Sequence, residues 1–252
     1  MYPQHETEGT LSDEHVGVFL RREHNTQAVA RARHDAALTL EAAVLRSPGP
    51  GLGRPVRLTH NSLLETYRTV TPLIDRLLGR STMMPVHVMP VRDMGDAAGQ
   101  YWVSRGFFFI GKPRGVIRIK TPATTDVLPY LLAHEYTHHH QHEKGAELSD
   151  SVSEGHATMT AIRAILDWSP DEDARCLAVA LRKTHLDFAI QYLENDLLSR
   201  VMSQSLNESH KQQGRTELLD YHLGSALFAI AEAKHGPGIY AEALRNPRAV
   251  LE

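Results

Sequence analysis

The chain has 252 residues and a formal net charge of −3, and 42% of its residues are hydrophobic while 23% are charged. These values are typical of a globular protein that buries a substantial core. They lack the basic character of proteins that bind nucleic acid or anionic membranes, so we expect neither partner. Cys176 is the single cysteine, the N-terminal residues do not form a signal-peptide pattern, and no apolar run is long enough to span a membrane. We therefore expect a cytoplasmic protein without disulfides.

A helical segment followed by a linker is predicted at the N-terminal end. Helical periodicity begins at Ser12, a residue type that caps helices, and continues to about Arg46. Residues 47–55 are rich in proline and glycine, a composition that breaks both helices and central strands. We therefore predict a helical appendage and linker over residues 1–55 and one main domain over residues 56–252.

A small sheet is predicted in the middle of the chain, after a helix over residues 62–78. Three segments have the apolar runs or the alternation that strands require: residues 86–91, 106–110 and 116–120. In the last of these segments Arg118 and Lys120 fall on one face, which favours a strand at the edge of the sheet.

The rest of the chain is predicted to be mostly helical. One helix begins near Thr125 and ends at Gly145, because glycine commonly terminates helices. Further helices are predicted from Ser153, from the capping box at residues 169–172, and from residue 216 to residue 234. A small sheet followed by several helices gives an α+β fold class.

The segment His134-Glu135-Tyr136-Thr137-His138 has the pattern of a catalytic metal site. Two histidines four residues apart on a helix project from one face, so they can bind one zinc ion together. Glu135 then lies beside the metal rather than on it, where it can accept a proton from a water molecule. The segment falls inside a helix with a defined start and end, which supports a metal site over a chance match.

A catalytic zinc site needs a third protein ligand and an open fourth position. The metzincin pattern is rejected because Gln141 and Lys144 stand where that pattern requires glycine and histidine. Two candidates remain, which are Glu154 in the manner of gluzincins and Asp150 in the manner of aspzincins. Glu154 is favoured, since Gly155 would let its helix approach the first one closely and the residues around Asp150 lack the aspzincin pattern.

Three further histidines follow the motif, at His139, His140 and His142. A run of histidines at the end of a helix is typical of a solvated helix terminus or of an adventitious metal-binding tract. We predict that most of them face solvent, and we assign them no ligand role.

The chain resembles an uncharacterised family of predicted zinc-dependent proteases. The resemblance rests on the motif from His134 to His138, on Glu154-Gly155-His156-Ala157, and on Tyr221-His222-Leu223-Gly224, and it covers about residues 62–240. It implies a zincin-like fold, with a small twisted sheet, an active-site helix and a mostly helical C-terminal half. Thermolysin-like enzymes place an aspartate one turn after the glutamate ligand, whereas this chain has Thr158. The residue that orients the metal-binding histidines is therefore unassigned.

The resemblance also suggests groups that would act on the substrate. Gluzincins often stabilise the oxyanion with a tyrosine or histidine from the C-terminal half, and the candidates here are Tyr221 and His222. Zincins commonly pair an extended substrate with an edge strand, for which residues 116–120 are the candidate.

The leading hypothesis is a zinc-dependent hydrolase of amide bonds, with a peptide as the leading substrate. Zinc would be held by His134, His138 and Glu154, and Glu135 would serve as general base. Two alternatives stay open, which are a zinc amidase acting on a small biosynthetic intermediate and a zincin-fold module that binds metal or ligand without catalysis. The hydrolase hypothesis is favoured because a binding module has no need of Glu135.

Overall fold

The structure is a computed structural model, in which a large part of the chain can be described. The described residues are 11, 13–23, 27, 29–31, 55–95, 97–104, 113–169, 172–194 and 213–252. The predicted strand over residues 106–110 and most of the predicted linker over residues 47–55 lie outside these residues.

The described elements form an α+β fold with a small sheet and a mostly helical C-terminal half, as the sequence predicts. The helices are α1 (Asp13–Glu23), α2 (His60–Leu77), α3 (Val127–Lys144), α4 (Asp150–Trp168), α5 (Glu172–Glu194), α6 (Gln213–His235) and α7 (Ile239–Ala243), followed by a 3₁₀ helix over Pro247–Leu251. The strands are β1 (Pro55–Val56), β2 (Val86–Val91), β3 (Gly99–Ser104), β4 (Arg114–Lys120) and β5 (Ala123–Thr124).

The main sheet has three strands in the order β2-β4-β3. Strand β4 pairs in parallel with β2 and antiparallel with β3. The prediction that residues 116–120 form an edge strand is therefore wrong, because that segment is paired on both sides. A charged side chain is accommodated on this central strand because the Arg118 guanidinium stacks 4.2 Å from the ring centre of Trp102 on the neighbouring strand.

Helix α3 begins and ends where local signals place its termini. The carboxylate of Asp126 accepts a hydrogen bond from the N–H of Val127 at 3.0 Å. Gly145 ends the helix in the left-handed conformation with φ 62°, which only glycine adopts without strain. The predicted end of this helix at Gly145 is confirmed.

The chain divides into two compact units, and the first is a sheet unit made of residues 39–145 and 160–181. Helices α2 and α3 pack on each other, and both contact the sheet. Fully buried side chains from three elements form the core of this unit, namely Leu63 and Ile74 of α2, Ile117 and Ile119 of β4, and Leu132 of α3. The sheet thus supports α3 along the length that carries the motif.

The second unit is a helical unit made of residues 1–38, 146–159 and 182–252. Helix α1 packs on α6, and Leu11 forms a parallel bridge with Leu148, just before α4 begins. Phe19 of α1 is buried, and the Lys234 ammonium lies 5.4 Å from its ring centre. The boundary predicted at residue 55 stays a prediction. Among the helices the structure describes, none is long and apolar enough to cross a membrane.

Candidate metal centre

His134 and His138 project from the same face of α3 toward each other. Their Nε2 atoms lie 3.0 Å apart, and the ring centres are 4.7 Å apart. Two nitrogens bound to one tetrahedral zinc at about 2.05 Å would lie about 3.3 Å apart, so the observed separation is close to that of a chelating pair. Two imidazole nitrogens this close need either a shared proton or a cation between them.

Glu154 joins the two histidines in a cluster that could hold a metal ion. One ligand atom each from His134, His138 and Glu154 lies within 4.8 Å of the other two. Asp150, the alternative third ligand, is exposed in the first turn of α4 and is not part of this cluster. Two nitrogens and one carboxylate oxygen are a donor set that suits zinc.

His138 has a defined partner for its second ring nitrogen. Its Nδ1 lies 2.7 Å from Oε1 of Gln141, which is three residues further along the same helix face. An amide oxygen can only accept a hydrogen bond, so Nδ1 carries the proton and Nε2 carries the lone pair. That lone pair is the one directed at His134.

Glu135 lies against the first residue of β3 and is not one of the three clustered ligands. It is buried, with 6% of its surface exposed. A Cβ added to Gly99 would lie 2.5 Å from Oε1 of Glu135, so only glycine leaves room for the carboxylate where it stands. Strand β3 thus fixes the position of the group that the sequence predicts to be the general base.

If Glu135 is the general base of a zinc hydrolase, as the sequence predicts, Gly99→Ala is expected to reduce activity by roughly 10²-fold while leaving zinc content and melting temperature almost unchanged. The added methyl meets the far end of a flexible side chain rather than backbone, so Glu135 must move while the strand can stay in place. Steady-state kinetics of the zinc-loaded variant measure the loss of activity. Metal analysis and thermal melting of the same variant measure its zinc content and its stability. Ser104→Ala, at the other end of β3, is the matched control. Full activity in a folded Gly99→Ala protein would contradict the placement of Glu135.

Two of the three histidines after the motif are buried, so the prediction that most of them face solvent is wrong. His139 and His140 are both 0% exposed, whereas His142 is exposed. His139 packs against Gly115 of β4, and its Nε2 lies 3.1 Å from the Met84 carbonyl oxygen. Burial lowers the pKa of His139 to about 4, so its ring is neutral at pH 7.

His140 joins a polar cluster that ties α3 to α2. Its Nε2 lies 2.9 Å from Oδ1 of Asp75, and the hydroxyl of Tyr136 donates to the same oxygen at 3.0 Å. Burial alone would raise the pKa of Asp75, but hydrogen bonds from His140, Ser81 and Tyr136 outweigh it and hold that pKa below its ordinary value. These histidines therefore anchor the helix on which the metal ligands lie.

The glycines of the second and third motif segments lie in contact with each other. A Cβ on Gly155 of α4 would lie 2.0 Å from the carbonyl carbon of Gly224 of α6. A Cβ on Gly224 would lie 1.8 Å from the backbone oxygen of Ser151. The two helix backbones therefore touch, and these glycines serve packing rather than chemistry.

The two predicted oxyanion donors lie on different faces of α6. Tyr221 is three residues before Gly224, so it shares the face that touches α4. His222 is buried, and its Nδ1 lies 3.0 Å from Nδ1 of His185 on α5. Burial lowers the pKa of His222, which favours the neutral form of its ring.

Comparison of the chain with protein-family models, curated proteins and solved structures finds no significant match. The resemblance to zinc-dependent proteases thus rests on the short motifs alone.

Two residues of the site were not singled out from the sequence, namely Gly99 and Gln141. Gly99 is recognisable only once β3 is placed beside α3, because its importance lies in the absence of a side chain. Gln141 had a local signal, since it follows His138 by three residues and can reach the same helix face. His156, in contrast, lies 2.9 Å from the Tyr240 carbonyl oxygen, which gives it a structural role.

Proposed function

We propose that this chain is a zinc-dependent hydrolase of amide bonds, with peptides as the leading substrate class. The observation that carries the proposal is the cluster of His134, His138 and Glu154, with Glu135 next to His134 in the chain, buried against Gly99 and outside the ligand set. A binding module requires the three ligands alone, whereas a hydrolase also requires a base that does not ligate.

The chain supplies the remaining groups of a hydrolytic site. Zinc, when bound by His134, His138 and Glu154, supplies a Lewis acid that polarises a carbonyl and makes a water molecule more acidic. Glu135 accepts a proton from that water and later donates it to the leaving nitrogen. The contact with Gly99 restricts where the Glu135 carboxylate can lie, which favours one fixed position for the base.

Strand β3 provides a backbone edge beside Glu135, which favours an extended substrate. The N–H of Lys120 donates to the Ala98 carbonyl at 2.9 Å, so alternate residues of β3 direct their backbone groups toward β4. Gly99 and Tyr101 direct theirs to the opposite side, where no strand pairs with β3 in the described part of the chain. A peptide added along this side would place its backbone next to Glu135.

The oxyanion donor is proposed to be Tyr221 rather than His222. Tyr221 shares the face of α6 that touches the helix of Glu154, whereas His222 contacts His185. Tyr221→Phe removes only the hydroxyl, so kcat should fall by about 10²-fold while KM changes little.

His222→Ala is the companion variant, and it should lower the melting temperature because it removes the buried contact with His185. Steady-state kinetics and thermal melting of both variants measure the two effects. A larger loss of kcat in His222→Ala than in Tyr221→Phe would transfer the role to His222. Loss of stability without loss of kcat in Tyr221→Phe would make that hydroxyl structural.

The function is tested by incubating the zinc-loaded protein with a mixed peptide library and identifying new peptide termini by mass spectrometry. Cleavage that stops on chelation, and returns with zinc, is the expected result. Hydrolysis of small acyl amides without any peptide cleavage would assign the chain to small-molecule amidases. Bound zinc with no turnover of either class would contradict a hydrolase and favour a binding module.

A further inference from the structure

The hydrogen bond between His138 and Gln141 determines which nitrogen of His138 is available to a metal. Neutral imidazole carries one proton, and the ring nitrogen without it is the metal ligand. Because Oε1 of Gln141 can only accept, the 2.7 Å contact keeps the proton on Nδ1 and leaves Nε2 unprotonated. The contact also fixes the rotation of the ring, so that Nε2 points at Nε2 of His134.

This hydrogen bond is partly shielded from water, because Gln141 is buried while His138 is half-buried. Gln141 is 5% exposed. The residues before and after it in α3 have other surroundings, since His140 contacts Asp75 and His142 is exposed. A half-buried ring nitrogen that loses its acceptor must either hydrogen-bond to water or give up its proton to the other ring nitrogen. In His138 the proton would move to Nε2, where it competes directly with a metal.

We propose that Gln141 is a positioning residue that holds His138 in its metal-binding tautomer and orientation. The role rests on the proposed metal site and assigns an orienting partner to one of its two histidines. A carboxylate or a backbone carbonyl commonly orients a zinc-bound histidine, and an amide oxygen serves the same purpose without adding negative charge. Gln141 thus acts through geometry and proton placement.

The test compares zinc dissociation constants of the full chain, measured by competition with a chelator, for the wild type, Gln141→Leu and Gln141→Glu. Gln141→Leu keeps the side-chain size and removes the acceptor, so zinc should bind 10- to 100-fold more weakly. Gln141→Glu restores an acceptor oxygen and should bind zinc at least as tightly as the wild type. Gln100→Leu, at an exposed glutamine of β3, is the matched control and should leave affinity unchanged.

A second readout follows the proton itself and does not depend on zinc or activity. Nitrogen-15 NMR of the metal-free wild type should find the His138 proton on Nδ1, and Gln141→Leu should lose that signal. Thermal melting of each variant separates a loss of fold from a loss of affinity. Because the wild-type spectrum tests the tautomer directly, the proposal stays testable even if Gln141→Leu does not fold.

The outcomes separate this role from the proposed function. If the wild type binds zinc and Gln141→Leu binds it equally well, the role of Gln141 is overturned while the metal site stands. A wild-type His138 protonated on Nε2 in the metal-free protein also overturns the role. If the wild type binds no zinc at all, the metal site fails, and the role of Gln141 fails with it.

Discussion

Glu135→Gln should lower kcat/KM by 10²-fold or more while the protein keeps its zinc and its melting temperature. The substitution preserves the size of the side chain and removes its ability to accept a proton. Glu135 lies outside the ligand cluster of His134, His138 and Glu154, so metal binding should not depend on its charge. Kinetics of the zinc-loaded proteins and metal analysis of the same samples measure both halves of this expectation.

Glu147→Gln is the matched control for the substitution at Glu135. It makes the same chemical change at an exposed position of the chain, and it should leave activity unaltered. Loss of zinc from Glu135→Gln would show that Glu135 acts as a ligand rather than as a base. Retained activity with retained zinc would show that a different group accepts the proton.

Gly224→Ala should destabilise the protein by about 3 kcal/mol, because overpacking typically costs about 1–3 kcal/mol and here the added methyl meets backbone that must move. The added methyl would lie 1.8 Å from the backbone oxygen of Ser151, so α4 and α6 must separate. The higher helix propensity of alanine returns only about 1 kcal/mol. In a chain of this length the melting temperature should fall by roughly 10 °C, and thermal unfolding followed by circular dichroism measures it.

Gly238→Ala provides the matched control for Gly224→Ala. Gly238 has helical backbone angles, and a Cβ there would meet nothing within 4 Å. Its substitution should be neutral or slightly stabilising, since alanine restricts the unfolded chain. Equal stability of the two variants would contradict the close approach of α4 and α6.

The parts of the structure that local signals specify could be predicted from the sequence. Helix α3 could be predicted because the start signals at Thr125 and Asp126 and the stop at Gly145 agree with one another, although the residue that caps it is Asp126 rather than Thr125. The spacing of His134 and His138 placed both rings on one face, and the pattern of small residues after Glu154 distinguished it from Asp150. The strand over Val86–Val91 was likewise predicted from its apolar alternation and is confirmed.

The position of a strand within a sheet could not be predicted in the same way. Strand β3 has a short and mixed sequence, so its periodicity gives little signal. The edge position predicted for β4 rests only on the charges of Arg118 and Lys120, which do not reveal that β3 pairs with it. Pairing between strands is non-local, and only the fold shows that Arg118 stacks on Trp102.

Burial of the extra histidines depended on partners that are distant in the sequence. His140 contacts Asp75, 65 residues earlier, and His139 contacts Tyr101, 38 residues earlier. The sequence of a histidine run does not show whether distant residues contact and bury it in the fold. The same limit applies to Gly99, whose value to the site lies in the space that it leaves for Glu135.

The central claim is that His134, His138 and Glu154 hold one zinc ion, and metal analysis of tag-free, dialysed protein tests it most directly. Dialysis is needed because the exposed His142 can bind further metal weakly. The wild type and Asp150→Ala should each contain about one zinc per chain, and Glu154→Ala should retain little. Zinc retained by Glu154→Ala but lost from Asp150→Ala, or a wild type without stoichiometric zinc, would contradict the account.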